Sequence, residues 1–355
     1  MTKPDSAVLD APALAPPGPE PILVEVTRGP LVESRHAVDA AVVDASGALV
    51  AAWGEVDRPI YPRSASKPLQ ALPLVESGAA DAFGLGAKEL ALACASHSGE
   101  PVHVETVRAW LGRLGLSEAD LECGAHPPRG GMPLEHFIRS GTALGPAHNN
   151  CSGKHSGMLS HAVHRGEPIA GYVEHEHPVQ RRVAAALGEL CGVDLANWPR
   201  GVDGCSIPTF AIPLESLALG LARFANPDAL APERQAACRR LAAAMWEEPY
   251  MVAGLGRCCT AILGAAAGRV VAKTGAEGVY VAGLVGRGLG LAVKARDGAG
   301  RAAEVALLAL LVHLAALDVA ARTALAPFAA PEVRNVRGRV VGRLAAAGWR
   351  PWSAF

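Results

Sequence analysis

Neither sign of charge dominates this sequence: 33 Lys and Arg stand against 34 Asp and Glu, a formal net charge of −1. Neutralising phosphates needs a basic face, so the balance argues against nucleic acid as main partner, and nothing draws the chain to an anionic membrane. Long apolar runs are also missing. No stretch approaches the ~18 apolar residues of a membrane span. The richest, Val305 to Leu317, is interrupted by His313 and reads as a buried helix. Residues 1–20 lack a basic segment followed by an apolar one. They are rich in Pro and Ala, carry Asp5, Asp10 and Glu20, and are expected to be a disordered lead-in rather than a signal peptide. There is no internal repeat, no G-x-x-x-x-G-K-[ST] phosphate loop and no P-C-x-x-C of the zinc deaminases.

What is present is a chain able to bury a sizeable core: 355 residues, half of them hydrophobic and 19% charged. Its eight cysteines, in a long chain with no secretion signal, are expected to be reduced thiols, and the protein to be cytoplasmic. Apolar runs at Ile22 to Thr27, His36 to Asp44 and Ala48 to Trp53 read as strands, the last two joined by Ala45-Ser46-Gly47 as a hairpin. Gly268 to Lys273, Gly278 to Val285 and Gly288 to Lys294 give three more. Between them the pattern predicts helices from near Ser64 and over 87–95, 102–115, 151–164, 178–191, 214–224 and 232–246, with a loop over 124–150. A long helix, 301–323, closes the series. Strands at both ends with helices in between point to an α/β (α+β) fold. Its mainly antiparallel sheet is drawn from about 21–63 and 266–325, its helical part from about 64–265, and 331–355 is a tail; hairpins argue against a purely parallel sheet.

The sharpest chemical signal is Ser64-Ala65-Ser66-Lys67. Serine needs a base to become a nucleophile, and a lysine three residues on shares its helical face. In a dry site, or beside another cation, that lysine is neutral near pH 7. Alone, S-x-x-K reads equally as a helix cap with a solvated lysine. Lys273-Thr274-Gly275 at the end of a late apolar run shifts the balance, because serine β-lactamases and penicillin-binding proteins combine S-x-x-K with a K-T-G strand about 200 residues later. Their middle Ser-x-Asn motif is absent; Ser96-His97-Ser98 and His148-Asn149-Asn150 stand nearest. In Asn149-Asn150-Cys151-Ser152-Gly153-Lys154-His155, Cys151 shares a helical face with Lys154 and with His155, which reads as half a zinc site or as a tight helix start with a buried thiol. Asp203-Gly204-Cys205-Ser206 sets a carboxylate beside a thiol in what is otherwise an Asp-Gly turn. His175-Glu176-His177 before Pro178 reads as a solvated helix start, and the Gly283, Gly286, Gly288, Gly290 cluster as weak evidence for a nucleotide.

Together with Ser34-Arg35-His36 and the strings around Arg63–Pro68, Ala95–Glu100 and Ala272–Gly278, these clusters resemble the asparaginase II family, serine–lysine asparaginases related in fold to serine β-lactamases and glutaminases. The resemblance runs from about Pro21 to Leu317. It implies hydrolysis of L-asparagine to aspartate and ammonia by a homodimer that engages neither nucleic acid nor membrane. Ser64 with Lys67 is implied as nucleophile and base, and Ser96 with Lys273 as a second pair. Cys151, Lys154 and Cys205 are implied as zinc ligands, water being the fourth and Asp203 holding that water. Cys259 is a further thiol near this site, ranked after Cys205. Asn150, His155, Thr274 and Gly275 are expected near substrate, with N–H groups near Ser64 and around Thr274-Gly275 as oxyanion donors. Two other readings share the motifs: a glutaminase, one methylene away in substrate, and a penicillin-recognising hydrolase.

Overall fold

The computed structural model describes residues 18–195, 198–349 and 352. The expected lead-in therefore lies, up to residue 17, outside the described residues. Eight strands form one sheet: β1 (Ile22–Arg28), β2 (Leu31–Asp44), β3 (Leu49–Trp53), β4 (Val270–Thr274), β5 (Val279–Leu284), β6 (Leu289–Ala295), β7 (Glu332–Arg334) and β8 (Val340–Ala346). Their order is β7-β8-β1-β2-β6-β5-β4, and every pairing is antiparallel. The 14-residue β2 is the spine. Its first half pairs with β1, residues 40–43 pair with β3 on the same edge, and residues 38–44 pair with β6 on the other. The β2–β3 turn is held by the Asp44 carboxylate, which accepts the N–H groups of Ser46 (2.8 Å), Gly47 and Ala48 (both 3.0 Å).

Over β4, β5, β6 and the second half of β2 both faces of this sheet are covered, which explains why those stretches are apolar at nearly every position. In β2, Val38, Ala40 and Val42 pack toward the helix Gly300–His313, while Ala41 and Val43 face the opposite cluster with the helix Leu214–Ala225. That second helix lies directly on a pair of glycines. Gly283 and Gly290 are cross-strand neighbours, and a β-carbon there would stand 2.6 Å from Leu221 O and 2.0 Å from Ala218 O, respectively. The glycine cluster thus serves helix–sheet approach at these two positions.

Most of the remaining helices form a body against the second face, while Cys258–Ala265 and Val319–Ala329 pack with Gly300–His313 on the first. Pro178–Cys191 has the predicted bounds, and Pro101–Arg113, Ser152–Arg165, Leu214–Ala225 and Pro232–Glu247 lie within two residues of theirs. Four expectations need correction. The loop over 124–150 contains a helix, Gly131–Ser140. The predicted long helix 301–323 is two: Gly300–His313 ends before Ala315, whose φ is 50°, and the Asp318 carboxylate starts Val319–Ala329 by accepting the Ala321 N–H at 2.8 Å. The run after Pro327, where the pattern assigned no element, adds two strands to the sheet: β8 pairs with β1, placing Leu344 opposite Val26. The helix from Ser64 is also broken, into a 3₁₀ turn Arg63–Ser66 and short pieces Lys67–Gln70 and Leu72–Glu76 separated at Ala71 before Pro73. No described helix is long and apolar enough to cross a membrane.

Candidate active site

Ser64 is the second residue of the 3₁₀ turn Arg63–Ser66, which leads into the buried segment from Lys67. The residue before it, Arg63, has φ 52°, a left-handed conformation unusual for a side-chain-bearing residue. Its guanidinium holds that turn by binding the Asp203 carboxylate through Nε (2.9 Å) and Nη2 (2.8 Å). Ser64 is half-buried and its hydroxyl makes no hydrogen bond among the described residues. Lys67 is buried at 1% exposure, and its Nζ does not address Ser64. It donates to the Ala95 carbonyl, to Ser96 Oγ at 3.1 Å and to Asn150 O at 3.4 Å.

Lys273 arrives from the opposite side on β4, also 1% exposed, and donates to the same Ser96 Oγ at 2.8 Å and to Thr274 O at 2.8 Å. One serine hydroxyl therefore lies between two buried amines. Ser96 follows the helix Ala87–Ala93 on a non-helical segment, positioned by its N–H on Val252 O at 2.9 Å. Burial disfavours the ammonium form of both lysines. It brings Lys273 down to about 7, with Lys67 contributing. It lowers Lys67 as well, helped by Lys154 and opposed by the thiols of Cys151 and Cys205.

Beside Lys67, the start of the helix Ser152–Arg165 assembles the second cluster. Gly153 permits it: a β-carbon there would stand 2.3 Å from Leu92 O, so the helix can approach the Ala87–Ala93 helix only with glycine at this position. Lys154 Nζ donates to Cys205 Sγ at 2.9 Å, and the Cys151 thiol lies against Cys205 and bonds Asn150 Oδ1 at 3.3 Å. The Cys151 hydrogen bond, with Lys154, brings the Cys205 thiol down to about 5 against the effect of burial. The same hydrogen bond and burial push Cys151 up to about 12. Burial opposes the charge on Lys154, but Cys205, Cys151 and Asp203 outweigh it and raise its pKa. Asp203 stays ionised below the usual carboxylate range despite burial, through Lys154 and Arg63.

Among the described residues no group of three or more His, Cys, Asp and Glu side chains could hold a metal ion. The Cys151–Lys154–Cys205 set contributes only two such side chains, both cysteines, its third donor being an amine. Two thiols and a nitrogen converging with one thiol already thiolate-like are donors of the kind zinc takes, so the residues fit that ion, with the Lys154 proton having to leave on binding.

Other expected residues take different places. Cys259 is not with Cys205. It lies behind β4, where its sulfur accepts the Thr274 N–H at 3.2 Å and the Tyr280 hydroxyl at 3.1 Å. The Gly275 N–H donates to Val279 O at 2.7 Å. Thr274 and Gly275 amides are thus engaged, and neither is a spare oxyanion donor; the Ser64 N–H, second in its turn, has no partner within that turn. His155 is fully buried, its Nδ1 on the Tyr172 hydroxyl at 2.7 Å and its Nε2 without a partner. Burial, then Lys154, brings its pKa to about 3, so the ring is neutral. Arg63 carried no assigned role in the sequence, since nothing there indicates that its partner is Asp203, 140 positions on. A cavity of about 840 Å³ between Gly300–His313, Val319–Ala329 and Trp349 contains none of these residues.

The family model described as L-asparaginase II matches residues 24–346. No curated protein matches the chain.

Proposed function

The chain belongs to the L-asparaginase II family, and from that premise we propose that it hydrolyses the side-chain amide of L-asparagine through an acyl-enzyme formed on Ser64. The observation that carries the reading is the Ser96 hydroxyl within hydrogen-bond distance of both Lys67 and Lys273, all three buried. An amine can take a proton from serine only when it is neutral, and burial shifts both lysines toward that form. Ser64 is the partly exposed hydroxyl that substrate reaches; Ser96 is the enclosed one that moves protons.

Ser64 Oγ attacks the amide carbon as its proton passes to Lys67, whose Nζ would turn from its Ala95 and Asn150 acceptors to take it. Lys67 passes that proton to Ser96 Oγ as Ser96 gives its own proton to neutral Lys273, so the charge can be relayed away from the nucleophile. The tetrahedral intermediate collapses as a proton is returned to the amide nitrogen, ammonia leaves, and a β-aspartyl ester remains on Ser64. Water, deprotonated through the same lysines, then releases aspartate. The Ser64 N–H, with no partner in its turn, would serve as an oxyanion donor. Arg63, fixed on Asp203, holds the nucleophile's turn against the Cys205 loop. Cys151, Lys154 and Cys205 would hold a zinc ion, which when bound would supply a positive centre orienting the α-amino or carboxylate end of the substrate.

The test is ammonia release from L-asparagine and L-glutamine by the purified protein, with Ser64→Ala as control. Release from asparagine that is lost in the control supports the reading. Preference for glutamine would reassign the substrate, and activity retained in Ser64→Ala would reassign the nucleophile.

A further inference from the structure

The Ser96 hydroxyl can serve two lysines only if its backbone is fixed, and the residue after it is a fully buried histidine with no part in the chemistry above. We propose that His97 is a positioning residue whose imidazole ties the Ser96 segment to the first turn of the helix Ser152–Arg165, holding Ser96 in register with Lys67 and Lys273. The inference rests on the reading of Ser96 as the proton-moving hydroxyl.

Proton counting fixes the tautomer. The Ser152 hydroxyl has one proton and donates it to Ala147 O at 2.9 Å. Its contact with His97 Nε2, also 2.9 Å, must therefore be a bond it accepts, so Nε2 carries hydrogen. His97 Nδ1 is then bare, and it accepts the Gly99 N–H at 3.1 Å. Both ring nitrogens are satisfied by one neutral form. Burial, then His103, keeps its pKa well below the ordinary value; a second ring proton would face the Gly99 N–H.

The ring is held on its faces as well. His97 stacks on His103 at 4.9 Å, and His103 stacks on Tyr250 at 5.6 Å. His103 uses both nitrogens too, accepting from Glu100 N (3.2 Å) and donating to Tyr250 O (3.2 Å). The segment from Ser96 to His103 is thereby clamped to residues 250–255, with Ser98 Oγ on Ala253 O at 2.9 Å and Leu255 N on Glu100 Oε1 at 3.1 Å. These bonds fix one side of the Ser96 segment. The bond from His97 to Ser152 fixes the other, and it lands next to Cys151, so it also joins the two-lysine centre to the thiol–lysine cluster.

Three variants of the full chain separate the parts. His97→Asn keeps an acceptor for Gly99 but is too short for Ser152; His97→Gln returns an N–H donor near the Nε2 position; Ser152→Ala removes the acceptor. Each is measured for kcat and KM on L-asparagine and for amide hydrogen exchange over residues 94–100. His97→Asn and Ser152→Ala are expected to lower kcat about 10- to 100-fold with KM nearly unchanged. Both are expected to speed exchange in that segment, with His97→Gln restoring most of kcat. The double variant His97→Asn/Ser152→Ala should be no worse than either single. Wild-type kcat in Ser152→Ala, multiplicative losses in the double variant, or equal losses in His97→Gln and His97→Asn would overturn the proposal. If His97→Asn does not fold, Ser152→Ala decides. If the wild-type protein releases no ammonia, the substrate reading fails and exchange alone judges the link: unchanged exchange in Ser152→Ala overturns it.

Discussion

Gly275 lies so close to Pro62 that a β-carbon on it would stand 2.6 Å from the Pro62 carbonyl oxygen. The same atom would lie 3.3 Å from Ala65 Cβ. The glycine of K-T-G is thus a contact with the turn that carries Ser64, from the strand that carries Lys273. Gly275→Ala should push the two apart, lowering stability by about 1–3 kcal/mol and kcat by more than about tenfold. Urea unfolding and steady-state kinetics check this; wild-type kcat would show that the approach is not needed.

Removal of the two serines should have different costs. Ser64 Oγ has no hydrogen bond, so Ser64→Ala should abolish turnover with little change in melting temperature. Ser96→Ala should also stop turnover, but it takes an acceptor from two buried lysines and should destabilise by about 1–3 kcal/mol. Calorimetry beside the ammonia assay distinguishes them, and equal melting temperatures would refute the contrast.

The pH profile should carry the lysine brought down to about 7. The neutral amine is the proton acceptor, and its fraction rises as pH rises through that value. So kcat/KM should climb through neutrality and level off on the alkaline side, and the Lys273→Met variant should lose that limb along with most of its rate. A profile that falls across the same range would reverse the assigned role.

Zinc binding should weaken as pH falls, because Lys154 and the thiol of Cys151 must give up protons to become ligands. Titration calorimetry at two pH values would show this directly. Lys154→Met should weaken zinc by more than about tenfold while leaving the two cysteines in place. Undiminished affinity in that variant would remove Lys154 from the ligand set.

Much of the fold is legible along the chain because helix ends and hairpins are local events. Pro178–Cys191 begins at a proline and stops before Gly192 in the left-handed region, and Asp44 closes its own turn. The failures are places where the local signal is silent. After His313 the residues remain apolar, so nothing in the pattern marks the break at Ala315. β8 is largely half-exposed, and its partner β1 lies more than 300 positions earlier, as the 316-residue separation of Thr27 and Arg343 shows.

At the site, the sequence by itself determined the chemical kinds: two serines, two lysines and a thiol–lysine set, each in a recognisable string. The i, i+3 spacing also put Ser64 and Lys67 one turn apart. Tertiary structure alone decided which groups meet. Lys67 turns from Ser64 to Ser96, Ala95 and Asn150, Lys273 joins it on the same hydroxyl, Cys205 rather than Cys259 meets Lys154, and Arg63 finds Asp203. The reason is physical. Backbone spacing sets where a side chain starts, but a buried amine ends where acceptors replace the water it has lost, and those acceptors come from distant parts of the chain.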